Sequence, residues 1–244
     1  MTRPPTTSIR SINYLLSSLS GDDFGLIGPS LEPVVAAVRH KIEESNKPIK
    51  HVYFPESGII SVVAVIGGDL QAEVGIIGRE GMTGHAVIMG DDRSPHAVYA
   101  QVSGHGQRIA ASALRDAMDA SSSLHRSFLR FVEAFMVQIA KTAVANGRAR
   151  LEVRLARWLL MAHDRLDGNE LPLTHEFLGL MLGVRRAGVT TTMHRLEQRG
   201  LIKATRGSIL VRNRNGLKKI AGGLYGIPEA EYHRLTGWKI DRQA

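Results

Sequence analysis

Between Gly183 and Gly200 the chain reads VRRAGVTTTMHRLEQR. Val189, Met193 and Leu196 recur at steps of four and three, the spacing of one helix face, which predicts a helix over about 185–199. Its other face carries Arg185, Arg186, Thr190, Thr191, His194 and Arg195. A helix that only fills space more often exposes Glu, Lys and Gln, and three successive threonines cost helix stability because branching at Cβ restricts their rotamers. These side chains suit another task. A guanidinium can donate two bonds at once to guanine, a threonine can bond a base edge or touch a thymine methyl, and a helix N-terminus attracts phosphate. The pattern points to the major groove of a duplex.

The flanking elements must hold that helix in place. In LTHEFLGLMLG, residues 173–183, Thr174 is a good N-cap, Phe177, Leu178, Met181 and Leu182 form a buried side, and Gly183 supplies the turn. Thr174 and His175 stand at the start of this first helix, where hydroxyl, imidazole and backbone N–H can meet phosphate. After the second helix, LIKA and ILV predict two short strands around Arg206-Gly207, with Arg206 at the tip reaching a flanking phosphate. Upstream, LEVRLARWLLMAHDRL is amphipathic through Leu151, Leu155, Trp158, Leu159 and Ala162, and Gly168-Asn169 ends it. Helix, helix, turn, helix and hairpin make a winged helix.

Charge agrees with that placement. Of the formal +8, residues 1–147 contribute −1 (13 Lys/Arg, 14 Asp/Glu), residues 148–219 contribute +9 (15 against 6), and residues 220–244 balance at 3 and 3. A basic third beside a neutral remainder fits a polyanion-binding module attached to a unit with another job. With 43% hydrophobic and 22% charged residues the composition is that of a folded protein. The chain has no cysteine, which excludes disulfides, thiolate zinc sites and cysteine-ligated iron–sulfur clusters. No leader-like N-terminus and no run of about 18 apolar residues occurs, so a cytoplasmic location and no membrane partner are expected.

The N-terminal half has a different texture. A short helix is predicted over Ile12–Leu19, stopping at Ser20-Gly21. VVAAV, VYF, IISVVAVI, LQAEVGII and HAVYAQV then read as strands, separated by NKP, PESG, GGD, GREG, GDD and SGHG. Short strands at this spacing predict a small β-sandwich or barrel. From Ala111 a short helix precedes a long one, in which Leu124, Phe128, Phe131, Phe135, Gln138 and Thr142 form a stripe thickened by Val132, Met136, Ile139 and Ala143. That stripe can lie against the β-region or pair with its twin in a homodimer, and its position between two units favours the dimer. A further helix and a loose tail end the chain.

Together with VYFPESGIISVV and GIIGREGMTG in the β-region, these motifs resemble the Crp/Fnr transcription regulators over nearly all of residues 12–220. The resemblance implies an α+β fold: an antiparallel β-roll of the cyclic-nucleotide-binding, jelly-roll kind over 1–120, a dimerisation helix over 121–147, a winged helix-turn-helix over 148–222, and a tail over 223–244. It implies a homodimer on pseudo-palindromic double-stranded operators, with RNA polymerase as a further partner and no enzymatic activity. On the family's pattern Arg186 takes the place of the guanine-reading arginine. Ala187 falls where many members carry a cytosine-reading glutamate and Thr191 where a second arginine is frequent, so a different half-site is expected.

The family's cyclic-nucleotide binders pair a Gly-Glu with a later Arg-Ser or Arg-Thr. Here Gly84 is followed by His85, and Arg93-Ser94 by Pro95, so Gly84, His85, Arg93 and Ser94 form a candidate effector pocket that lacks the ribose-holding acceptor. Cyclic nucleotide is therefore disfavoured, and no cofactor is identified. His85, His96 and His105 lack metal-ligand spacing and read as surface or hydrogen-bonded residues. GREGMTG, residues 78–84, lacks the ending of a nucleotide-hydrolysing loop and reads as a turn, with Glu80 an ion-pair partner for Arg79 or Arg93. A nucleotide-processing enzyme using that turn, and a cyclic-nucleotide-regulated module that binds other proteins, are the alternatives.

Overall fold

The computed structural model describes residues 11–67 and 70–240. The N-terminal leader reading and part of the GGD turn lie outside the described residues. Two short helices, α1 (Tyr14–Ser18) and α2 (Gly21–Ile27), lead into strands β1 (Glu32–Ala36), β2 (Lys41–Glu43), β3 (His51–Pro55), β4 (Ile59–Gly67) and β5 (Leu70–Ile77). A one-turn helix, α3 (His85–Ile88), separates these from β6 (His96–Val102) and β7 (Gly104–Ala110). The first helix stops before Ser20-Gly21 as expected, and a second starts there: the Ser20 hydroxyl accepts from Asp23 N at 3.1 Å and caps α2, of which Gly21 is the first residue.

The strands form two antiparallel sheets, in the orders β1-β7-β3 and β2-β6-β4-β5. This is the expected β-roll, with two strands that the sequence reading missed, the three-residue β2 and β7. SGHG looks like a turn, yet Gly104 and Gly106 lie within β7 because the chain passes too close for side chains there. A Cβ on Gly104 would run into the carbonyl of Ser57, and one on Gly106 into that of Phe54. Gly104→Ala is accordingly expected to cost about 1–3 kcal/mol of stability in denaturant melts, since backbone rather than a movable side chain must give way.

Next come α4 (Ala111–Ala120) and the long helix α5 (Ser122–Arg148). Leu124, Phe128, Phe131, Val132 and Phe135 are buried in one core with Val52, Phe54, Ile60, Val62 and Ile77 of the roll. The stripe thus faces the chain's own β-region. Gln138, polar within it, bonds the free edge of β5: its Oε1 accepts from Ile76 N at 2.8 Å and its Nε2 donates to Ile76 O at 3.2 Å. Met136 and Ala143, expected to thicken the stripe, are instead exposed, Met136 at 55%.

The C-terminal part comprises α6 (Leu151–Arg165), β8 (Glu170–Leu171), α7 (His175–Met181), α8 (Arg186–Gln198), β9 (Ile202–Thr205), β10 (Ser208–Val211), α9 (Arg214–Ala221) and α10 (Ile227–Thr236). The wing has three strands, β8-β10-β9, the first a two-residue piece. Its core is continuous with the roll: Ile59, Ile76 and Val102 pack with Leu155, Leu159, Leu178 and Val189. The sheet β2-β6-β4-β5 is therefore covered on both faces, which is why Ile59, Ile60, Val62 and Val63 are all buried, without the alternation of a one-sided strand.

Two features of the junction differ from expectation. Glu80 pairs with neither Arg79 nor Arg93 but with Arg165 of α6, at 2.7 Å and with both side chains buried, while Arg79 takes Asp167 and Arg93 takes Asp92. The segment expected as a tail contains α10, which packs on α5. Tyr232 donates to Glu80 O at 2.7 Å and Trp238 stacks on Tyr14 with ring centroids 5.0 Å apart.

Candidate nucleic-acid interface

Three buried residues of α8, Val189, Met193 and Leu196, anchor it in the C-terminal core, as their spacing required. Thr174 caps α7, accepting from Phe177 N at 3.2 Å. Gly183 takes φ +60, the left-handed conformation that turns the chain between the two helices. Arg154 of α6 donates to the carbonyl of Leu182 and so holds the end of α7 to α6, while Glu197 Oε1 accepts from Ala204 N at 2.7 Å and fixes α8 to the wing.

With that scaffold set, Arg185, Arg186, Ala187, Thr191, His194 and Arg195 are all exposed. Neither Arg185 nor Arg186 makes an ion pair among the described residues, and Arg206 is exposed at the tip of the wing. His194 lies 3.4 Å from Glu197. Arg185 and Arg186 border an open cleft of about 800 Å³ whose far wall carries Arg39 and Lys41 of the roll. Among the described residues Glu176 is the one carboxylate lining it, so the cleft is positive on balance, which favours solvent or an anion within it.

The other candidates fare differently. Thr190 is half-buried; its hydroxyl donates to Arg186 O at 3.2 Å, and His175 Nδ1 lies 3.1 Å from Thr190 Oγ1. Because a hydroxyl has one proton, His175 is the donor in that contact, and the pair ties α7 to α8 instead of facing outward. Burial first, then the neighbouring Arg186 and His194 charges, holds the His175 pKa below its usual value. The regional +9 also includes Arg157, Arg165 and Arg214, which are buried; Arg214 reaches Asp164 at 2.6 Å and Arg157 donates to Leu224 O at 3.0 Å. These three hold the fold together and are withdrawn from any phosphate.

The four residues of the candidate effector pocket do not converge. Gly84 N donates to Glu43 Oε1 at 2.7 Å, while the His85 ring stacks on Phe135 at 4.4 Å, its pKa pushed down to about 4 by burial. Arg93 is exposed and bonded to its neighbour Asp92, and Ser94 Oγ accepts from His96 N at 3.2 Å. The glycine-rich turn 78–84 is likewise filled: Glu80 is paired, Thr83 accepts from Tyr53 N at 3.0 Å, and a Cβ on Gly81 would strike Phe131. No group of three or more His, Asp or Glu able to hold a metal occurs among the described residues. None of the described helices is long and apolar enough to cross a membrane.

Residues 153–220 match the family model of the Crp-like helix-turn-helix domain. The chain carries a Crp-like helix-turn-helix domain on a Crp/Fnr fold. A chain from Eubacterium rectale assigned to the Crp/Fnr family of transcriptional regulators shares 20% identity, with a TM-score of 0.66, over 86% of this chain and 99% of its own. FixK2 from Bradyrhizobium japonicum gives 17% and 0.68 over 79% and 98%. A CRP-family regulator from Thermus thermophilus gives 16% and 0.65 over 78% and 97%. No curated protein matches in sequence. The Crp-like match ends at residue 220, so α10 and its contacts with α5 lie beyond it.

Proposed function

We propose that the protein is a sequence-specific transcription regulator that binds double-stranded DNA as a homodimer in the cytoplasm, with α8 entering the major groove. The observation that carries the reading is the outward face of α8. Two arginines without ion-pair partners among the described residues stand at its N-terminus, on a helix whose opposite face is locked into the core. Arg186 is the guanine reader, and Arg185, Thr174 and Arg206 meet phosphate, while His175 serves by holding α7 against α8. Leu129, Met136 and Ala143 are exposed at steps of seven on α5, with Val144 beside them, and supply the seam for a second copy. Two half-sites then stand about 34 Å apart. RNA polymerase is the partner such a regulator acts on, and control by an effector other than a cyclic nucleotide belongs to the same reading.

Selection of duplexes from a random pool tests this directly. Wild type is expected to enrich a pseudo-palindrome and to bind it less tightly as salt rises, through counterion release. In the same assay Arg186→Ala is expected to lose about 1–3 kcal/mol and to relax the preference at one guanine per half-site. Equal affinity and equal preference for the two proteins would remove Arg186 from the groove.

A further inference from the structure

We infer that Ala187 and Thr191 form a methyl surface that reads the 5-methyl group of a thymine in each half-site, an assignment that rests on the DNA-binding reading of α8. The three threonines spend their hydroxyl protons in the same way. Thr190 donates to Arg186 O at 3.2 Å, Thr191 to Ala187 O at 3.1 Å and Thr192 to Gly188 O at 2.8 Å, each reaching back one turn. A hydroxyl has a single proton, so none of them can donate to guanine N7 or O6, or to thymine O4.

What remains differs among the three. Thr192 is buried, and the oxygen of Thr190 already meets His175. Thr191 alone is exposed, and with its proton committed it presents a methyl group and a lone pair. Ala187, also exposed, stands four residues earlier and so directly below it on the same helix face, and it can offer nothing but a methyl. The two make an apolar strip between Arg186 on one side and His194 and Arg195 on the other. In the major groove the thymine C5-methyl is the apolar feature such a strip can recognise, and cytosine lacks it.

The test uses the duplex recovered by selection, with each thymine replaced in turn by deoxyuridine, which deletes that methyl and nothing else. At one position per half-site wild type is expected to lose about four-fold in affinity, the worth of one buried methyl. Thr191→Val, which keeps a methyl and drops the hydroxyl, should discriminate as wild type does. Thr191→Ser, which keeps the back-bonded hydroxyl and drops the methyl, should discriminate clearly less than wild type, with only the Ala187 methyl left against the base. Unchanged wild-type affinity at every substituted thymine, or full discrimination by Thr191→Ser, overturns the assignment while leaving DNA binding intact. Failure to enrich any sequence overturns the DNA reading itself, and this one with it.

Discussion

Replacing Arg165 by Met should destabilise the protein by about 3–5 kcal/mol, because it leaves a carboxylate buried without its charge partner. Arg165 is 2% exposed and Glu80 3%. The guanidinium donates from Nε to Glu80 Oε1 at 2.8 Å and from Nη1 to Met161 O at 2.8 Å, and Gly78 N donates to the same carboxylate at 3.1 Å. Glu80 lies in the turn after β5 and Arg165 at the end of α6, so the pair joins the roll to the Crp-like domain. Denaturant titration provides the measurement, and a loss below about 1 kcal/mol would show that the pair is dispensable. Adding Glu80→Leu to Arg165→Met should recover much of the loss, since removing both charges removes the desolvation penalty as well.

That pair also shows where reading the sequence stops. The winged helix was legible because its signals are local: a cap at Thr174, a turn at Gly183, and apolar residues at steps of three and four through Leu196. Most of the roll's strands were legible for the same reason, except the three-residue β2 and the stretch where Gly104 and Gly106 imitate a turn. Their role depends on Ser57 and Phe54, about fifty residues away, and no window along the chain contains both sides of such a contact. Arg157, Arg165 and Arg214 look like surface charge in a basic segment until Glu80, Asp164 and the Leu224 carbonyl are brought beside them. The candidate effector residues failed similarly. Gly84 and His85 sit next to one another in sequence, but the first turns to Glu43 and the second to Phe135, while Arg93 turns to solvent. Thr190 and Thr191, identical and adjacent, are separated in role by a hydrogen bond from His175 that the sequence does not announce.

Glu73→Gln is expected to flatten the dependence of stability on pH. Glu73 is buried on β5, where it accepts from Ser61 Oγ at 2.6 Å and from Trp158 Nε1 of α6 at 2.5 Å. Burial pushes its pKa up to about 7, against the opposing pull of those two hydrogen bonds and of the Arg157 and Arg165 charges. In the unfolded chain the same group titrates near 4.5. Between those two values the folded protein holds a proton that the unfolded chain has released, so stability falls as pH rises through the window and levels off above it. Over the whole interval the loss comes to about 3 kcal/mol. The glutamine has no charge to desolvate and can still accept from Trp158, so the stability gap between variant and wild type should widen in the variant's favour by that amount from about pH 4.5 to about pH 8. Parallel profiles would mean that the Glu73 carboxyl finds more solvent or more positive charge than its position provides. Trp158 belongs to the Crp-like domain and Glu73 to the roll, so a wild-type titration should register at the junction between them. In a Trp238→Phe background the only remaining indole reports it, and its emission should shift near pH 7 with Glu73 and stay constant with Gln.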